Sequence, residues 1–364
     1  MKILFIIGSL QSGGAERVCA TLANYFAQHG ETVYISTDTE REVAFEIDFK
    51  VTILNHREGC YDKFMRRKIA SLRLLHTMSN FRKYERIYHP DVVISFLTTF
   101  NVYTIFALLG RSVPVIVCEH TTVTYKPPMR EKIARDILYR FADAITVLTS
   151  KDYDLWKEHY PQLEIMPNPV VIRDISHEIQ TREKRVIAAG RVTDWEIKGF
   201  DNLLICWGRI CHKHPDWKLC IAGLTDDASL KYMKSVVEAN ACINVEFMGF
   251  RRDIFEQMQK SEVFVLTSRR EGLPMALIEG MNAGCCCVAF DVVTGPSDII
   301  SDKENGFLVE NQNIDKLTQA LDDVMSNEVF RRRLAAKAPS AIEKFSTDNI
   351  ARKWYALFNK VKRR

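Results

Sequence analysis

The chain has 364 residues, 47% of them hydrophobic and 26% charged, which is enough to bury the cores of two domains. A formal net charge of +4 is too even for a general nucleic-acid binder. No segment reaches the ~20 consecutive apolar residues of a membrane span, and ten cysteines without a Cys-x2-Cys pair do not make a secreted disulfide framework. The thiols therefore read as reduced and mostly buried, in a cytoplasmic protein.

In the first half, apolar runs alternate with helical patterns. The apolar run from Ile3 to Leu10 follows a single lysine and is short for a signal peptide; it reads better as a buried first strand, Ile3–Ile7. Gly8-Ser-Leu-Gln-Ser-Gly-Gly-Ala-Glu16 joins it to a helix, where Gly13 and Gly14 permit close backbone approach. The loop is not Gly-x-Gly-x-x-Gly and has no Gly-Lys-Ser/Thr, which rejects a nicotinamide dehydrogenase and a P-loop enzyme. Further strands fall at Val33–Ser36, Val51–Leu54, Val92–Phe96, Val115–Cys118 and Ile145–Leu148. Between residues 61 and 90, Lys63, Arg66, Arg67 and Arg73 share one helical face, beside an apolar stripe of Met65, Ile69, Leu72 and Leu75. Such a helix either turns its charges to solvent or meets an anionic lipid surface. Glu119-His120 closes the Val115–Cys118 strand; a lone histidine often serves structure, but the end of a strand is a functional place. Asp152-Tyr-Asp154 reads as part of a helix cap after Thr149-Ser150, and no metal site is assigned. Met166-Pro-Asn-Pro-Val170 is a stiff linker with Asn168 at its hinge.

After about residue 170 the rhythm restarts with Arg185–Ala189 and runs through Lys218–Ala222, Val245–Met248, Val263–Thr267 and Cys286–Phe290. This βαβα order predicts an α/β fold of two Rossmann-like, doubly wound parallel sheets. The domains span 1–168 and 169–346, and the closing segment 347–364 contains an amphipathic helix over Asn349–Val361. Such sheets take ligands at the carboxyl ends of their strands. There, Arg191 follows Gly190 and can fork two phosphate oxygens, while Lys198 before Gly199 supplies a point charge. Thr294-Gly295-Pro296-Ser297 opens another helix.

The densest signal is Ser268-Arg-Arg-Glu-Gly-Leu-Pro-Met-Ala-Leu-Ile-Glu279, which follows an apolar strand and enters a helix. Pro274 suits a first helical turn, and Gly272 lets the backbone approach a ligand. The free N–H groups of Gly272, Leu273 and Met275, on either side of Pro274, then leave a helix N-terminus, a ready anion site. Glu271 lies before the turn and Glu279 within the helix. Amides for a diphosphate and carboxylates for hydroxyls describe a nucleotide-sugar site.

On these residues the chain resembles the GT4 family of retaining glycosyltransferases, whose fold is GT-B. The Glu-x7-Glu pair of Glu271 and Glu279 matches the family signature, and Ser-Gly-Gly-Ala-Glu-Arg is similar to its first loop, which borders diphosphate and acceptor. The resemblance implies that Glu271 and His120 hold the donor sugar, Glu279 the ribose, and Arg191 and Lys198 the diphosphate, with Asn168 beside the donor. It also implies two domains facing across a cleft, an acceptor-binding first and a nucleotide-sugar-binding second, with the last helix crossing back. Within the family the chain is similar to bacterial enzymes that lengthen undecaprenyl-diphosphate-linked glycans for O-antigen, lipopolysaccharide, capsule or exopolysaccharide. The expectation is transfer of a hexose, Gal or GalNAc before Glc or GlcNAc, from a UDP-sugar to a lipid-linked oligosaccharide, with an α-linkage and no cofactor. The place is the inner leaflet of the cytoplasmic membrane, approached through Lys63, Arg66, Arg67 and Arg73 and the closing Lys360-Val-Lys-Arg-Arg364. The alternative is a UDP-sugar 2-epimerase of the same architecture, which would need no acceptor.

Overall fold

Ile3, Leu4, Phe5 and Ile6 are all fully buried, as only a strand covered on both faces permits. The structure is a computed structural model that describes residues 1–11, 13–58, 70–122, 124–126, 128–173 and 182–362. In it, those residues form β1 (Lys2–Ile6) of a seven-stranded sheet with β2 (Thr32–Thr37), β3 (Thr52–Asn55), β4 (Val92–Phe96), β5 (Val115–Cys118), β6 (Ala144–Val147) and β7 (Leu163–Ile165). The order is β3-β2-β1-β4-β5-β6-β7, and every neighbouring pair is parallel. Helices α1 (Gly14–Gln28), α2 (Ala70–Tyr88), α3 (Thr98–Leu108), α4 (Met129–Leu138) and α5 (Ser150–Trp156) make the connections. Thr149 caps α5, its hydroxyl accepting from the Asp152 amide at 3.0 Å, so the Asp-Tyr-Asp run is helix-start chemistry.

The second sheet has β8 (Glu183–Ala189), β9 (Lys218–Ala222), β10 (Val245–Gly249), β11 (Ser261–Leu266), β12 (Cys286–Asp291) and β13 (Phe307–Glu310). Its order is β10-β9-β8-β11-β12-β13, again all parallel. Its helices are α6 (Trp195–Lys198), α7 (Phe200–Ile210), α8 (Asp227–Ala239), α9 (Ile254–Gln259), α10 (Met275–Asn282), α11 (Pro296–Ile299), α12 (Ile314–Ser326) and α13 (Glu328–Ile342). Trp207, Phe290 and Leu321 are fully buried in its core. Two short strands escape the sequence pattern: β7 and β13 end their sheets, where one flank has no partner strand and the apolar run is brief.

The chain divides into one unit of Met1–Pro169 with Thr347–Arg364, and another of Val170–Ser346. The closing helix, α14 (Thr347–Lys362), joins the first unit by burying Ile350, Trp354 and Phe358 against α1, with the Phe26 and Phe358 rings 5.6 Å apart. Each such side chain contributes about 1.5–3 kcal/mol. The Asn168 segment is itself buried, and Val170 bridges to Ser346 within the second unit.

Gly280 lets α10 lie against β11, since a Cβ there would sit 2.7 Å from the buried Phe264 ring. Gly280→Val should therefore lower unfolding stability by about 1–3 kcal/mol in urea. Gly14→Ala, where a Cβ meets nothing within 4 Å, should leave it within about 0.5 kcal/mol. Equal effects would contradict the packing.

Candidate active site

In each sheet the strand order reverses once, between β1 and β4 and between β8 and β11. Loops leaving the two strands at such a point turn to opposite faces and leave a crevice. In the second unit the sequence-marked residues gather there. β8 runs out through Gly190 and Arg191 into a turn and α6, which ends at Gly199 in the left-handed conformation (φ 65°). A Cβ on Gly199 would lie 2.0 Å from the Thr267 carbonyl oxygen, so only glycine lets this corner press on the end of β11. The Lys198 stem then folds across Gly190, and its Nζ donates to Glu271 Oε1 at 2.8 Å. Ser268 Oγ donates to the same oxygen at 2.6 Å. Thr267 Oγ1 donates to the Lys198 carbonyl at 3.0 Å, and Thr294, beyond β12, donates to the Glu271 carbonyl. Loops from three strands are thus tied at one residue, Glu271, through its carboxylate and its backbone carbonyl; the side chain is 12% exposed.

Pro274 sits at the N-cap of α10 rather than in its first turn, and no side chain caps the amides that follow. That leaves the first-turn donors and the positive end of the helix facing the Glu271 loop. Glu279 lies half-buried further along α10, after Leu277 and Ile278 have entered the core. Arg191 is held differently from the expectation of a waiting phosphate fork. Its Nε lies 2.9 Å from Asp194 Oδ2, with the side chain 65% exposed, so a ligand must draw it off a neighbour. Arg269 is structural: both its amino groups grip Asp201 at 2.8 and 2.7 Å and fix the loop to α7.

In the first unit, His120 follows β5 and stacks on Phe96 with ring centroids 5.1 Å apart. Burial pushes its pKa down to about 4; nearby Asn168 opposes this without reaching hydrogen-bond geometry. Neither ring nitrogen, nor Asn168 Oδ1, has a hydrogen-bond partner among the described residues. A neutral imidazole and a buried amide are thereby left open to a polar ligand. Beneath them Glu119 accepts from Thr98 Oγ1 at 2.9 Å and from the Tyr139 hydroxyl. Asn101 donates to Tyr139 and to the Cys118 carbonyl, each at 3.0 Å. Burial raises the Glu119 pKa, and these donors oppose it. Leu97, which opens α3 beside this cluster, has φ 72°, a strained position for a bulky residue. Gly13 is the N-cap of α1 and Gly14 its first residue; the Glu16 carboxylate folds back over Gly13, in the third-residue place of a capping box.

The structure brings Lys198 to Glu271 and His120 to Asn168, and ties in Ser268, Thr294, Glu119 and Tyr139, whose roles no spacing marks. Lys63, Arg66 and Arg67 lie outside the described residues; Arg73 is exposed on α2, and Leu75 is 57% exposed, so the core is met at that turn by Leu74 and not by Leu75. Of the basic tail, Lys360 pairs with Glu164 and Lys362 lies 3.6 Å from Asp91. Among the described residues no three His, Cys, Asp or Glu gather as a metal would require, and no helix is long and apolar enough to cross a membrane.

Two Rossmann-like parallel sheets with this switch-point constellation define a transferase of the GT-B fold. Residues 12–173 match the model of Glycosyltransferase Family 4, and residues 173–341 match that of Glycosyl transferases group 1. The chain belongs to the family 4 glycosyltransferases. It is 28% identical, over all of its length and 99% of the relative, to a Campylobacter jejuni α-1,4-N-acetyl-D-galactosaminyltransferase named for a GalNAc-GalNAc-diNAcBac-PP-undecaprenol acceptor. It is also 28% identical, over 98% of the chain and 99% of the relative, to the amylovoran biosynthesis glycosyltransferase AmsD of Erwinia amylovora. The crystal structure of TarM, the S. aureus protein, superimposes with TM-score 0.81 at 16% identity, over 98% of each chain.

Burial holds His56 as well as His120 near a pKa of about 4, below the ordinary 6.5. The unfolded chain then binds protons that the folded chain refuses, so both histidines withdraw stability as pH falls from about 6.5 to about 4. Imidazole ¹⁵N spectra should show both rings still neutral at about pH 5.5. A ring titrating near 6.5 would contradict the burial.

Proposed function

We propose that the chain transfers a hexose from a UDP-sugar, with retention, to an undecaprenyl-diphosphate-linked oligosaccharide in bacterial surface-glycan synthesis. The observation that carries this is the Lys198–Glu271 pair at 2.8 Å beside the uncapped start of α10. An ammonium and helix amides suit a departing diphosphate, while the carboxylate they hold suits sugar hydroxyls. Glu279 would take the ribose, His120 and Asn168 the sugar, and Gly13 and Gly14 the margin where acceptor and diphosphate meet. The acceptor reading draws support from the Campylobacter relative's name, and Gal or GalNAc is the favoured sugar on the same ground.

The bond from the anomeric carbon to the β-phosphate oxygen breaks while the acceptor oxygen bonds to that carbon from the same face. The acceptor's proton passes to the departing phosphate oxygen, giving UDP and an α-glycoside. Arg191, released from Asp194, and Lys198 neutralise the charge that accumulates on the diphosphate, and no metal or cofactor is needed in this scheme. Exclusion of water limits donor hydrolysis.

The test is UDP release from a panel of UDP-hexoses, with and without an undecaprenyl-diphosphate oligosaccharide. Release should require both substrates and yield the α-anomer by NMR. Sugar interconversion without acceptor, or no turnover of any UDP-hexose, would overturn the reading. Lys198→Ala and Glu271→Ala should each cut kcat by about 10²–10³-fold. Because they share one contact, the double variant should lose much less than the product of the two.

A further inference from the structure

Helix α4 of the first unit buries no residue at all. Met129, Ile133 and Ile137 recur at every fourth position, a stripe within about 80° of its surface, and they are 70%, 53% and 58% exposed. Phe141, in the turn that follows, is 58% exposed and continues the stripe. It also walls a cavity of about 230 Å³ whose other apolar sides include Ile105 and Leu108 from α3 and the exposed Leu109 just after it. A run of large apolar side chains left in water over two neighbouring elements is more than the scattered exposure normal for a protein surface.

The charges around the stripe indicate what covers it. Lys126 before the helix, Arg130 on its flank and Arg140 beside Phe141 are exposed, and none forms an ion pair among the described residues. The flanking acid Asp136 is already neutralised by Lys132 at 2.9 Å and Arg135 at 3.0 Å. Glu131, the other acid of the helix, accepts from Thr99 at 2.6 Å on the side toward α3. An apolar stripe edged by unpaired cations, with its acids turned inward or matched, is complementary to an anionic bilayer.

We infer that this face of the first unit docks on an anionic membrane surface. Met129, Ile133, Ile137 and Phe141 enter the boundary of the acyl region, and Lys126, Arg130 and Arg140 meet lipid phosphates. The inference rests on the proposed lipid-linked acceptor only for its purpose, since the surface itself is read from exposure and charge. None of its residues belongs to the basic segment of residues 63–73.

The experiment is co-sedimentation of the full chain with vesicles of phosphatidylcholine alone and of phosphatidylcholine mixed with phosphatidylglycerol. The wild type should bind the mixed vesicles and release them in high salt. Ile133→Asp with Ile137→Asp should weaken binding by about 10- to 100-fold. Arg130→Glu with Arg140→Glu should remove the preference for the anionic vesicles, a loss of tenfold or more by about 1 kcal/mol per cation. Both variants should melt like the wild type, because the altered side chains are exposed, and should keep UDP release on a detergent-dispersed acceptor. Unchanged vesicle binding in both variants would overturn the inference. So would a wild-type dimer that Ile133→Asp dissociates, which would assign the face to a second copy. Absence of UDP release by wild-type protein that still binds vesicles would count against the proposed activity and leave the docking surface standing.

Discussion

The strands beside β8 lead away from each other, and the chemistry of the second unit follows from that divergence. A parallel strand must return through a crossover, and β9 and β11 flank β8 on opposite sides, so the loops after β8 and β11 cannot cover each other. The gap is filled by a long side chain rather than by backbone. Lys198 spans it only because Gly190 offers no Cβ beneath its stem, and because Gly199 can take a left-handed turn against Thr267. Gly223 completes the arrangement from β9: a Cβ there would lie 1.7 Å from the Gly190 carbonyl oxygen. Three glycines from three loops therefore set one ammonium over one carboxylate. A half-buried pair of this kind stabilises little against its desolvation, but removing either member strands the other.

The first unit meets the same constraint with different means. Its switch point is walled by side chains: Phe100 lies over Gly8, and Leu97 is forced to a positive φ as the chain leaves β4. That strain costs about 1–3 kcal/mol and persists because its surroundings are fixed. Thr98, Asn101, Tyr139 and Glu119 supply the fixing, in a buried network of linked hydrogen bonds. The network ends directly below His120, whose own nitrogens it leaves unclaimed. The rigid base and the open ring belong together: an imidazole without hydrogen-bond partners among the described residues keeps its orientation through the Phe96 stack and the fixed backbone beneath it.

Much of the fold was legible because parallel strands buried on both faces must be continuously apolar, and runs such as Ile3–Ile7 and Cys286–Phe290 have no other stable home. The edge strands β7 and β13 were not, since three or four residues at a rim carry too little pattern. Glu271, Lys198 and His120 stood out because glycines and strand ends mark where backbone opens to a ligand. Their supporting partners were illegible for a physical reason. Ser268, Thr294 and Tyr139 act through contacts across 3 to 38 positions of sequence, and hydroxyl groups in loops have no periodicity. The ion pair of Arg191 with Asp194 was also beyond reach, because a three-residue spacing in a turn is satisfied by many side-chain arrangements.

The distribution of thiols has a practical consequence. Nine of the ten cysteines lie among the described residues; all nine are free, and all but Cys242 are buried. Burial pushes the Cys118, Cys206, Cys285 and Cys286 thiols up to about 12, so in the folded state almost none of these four is thiolate and alkylating reagents meet no nucleophile at them. Cys19 and Cys118 belong to the first unit, while the second holds Cys206, Cys211, Cys220, Cys242 and the run Cys285 to Cys287. Each unit thus carries its own built-in set of silent reporters. Labelling at a given site marks an opening of the sheet around it, and the position of the label tells which half of the molecule breathed.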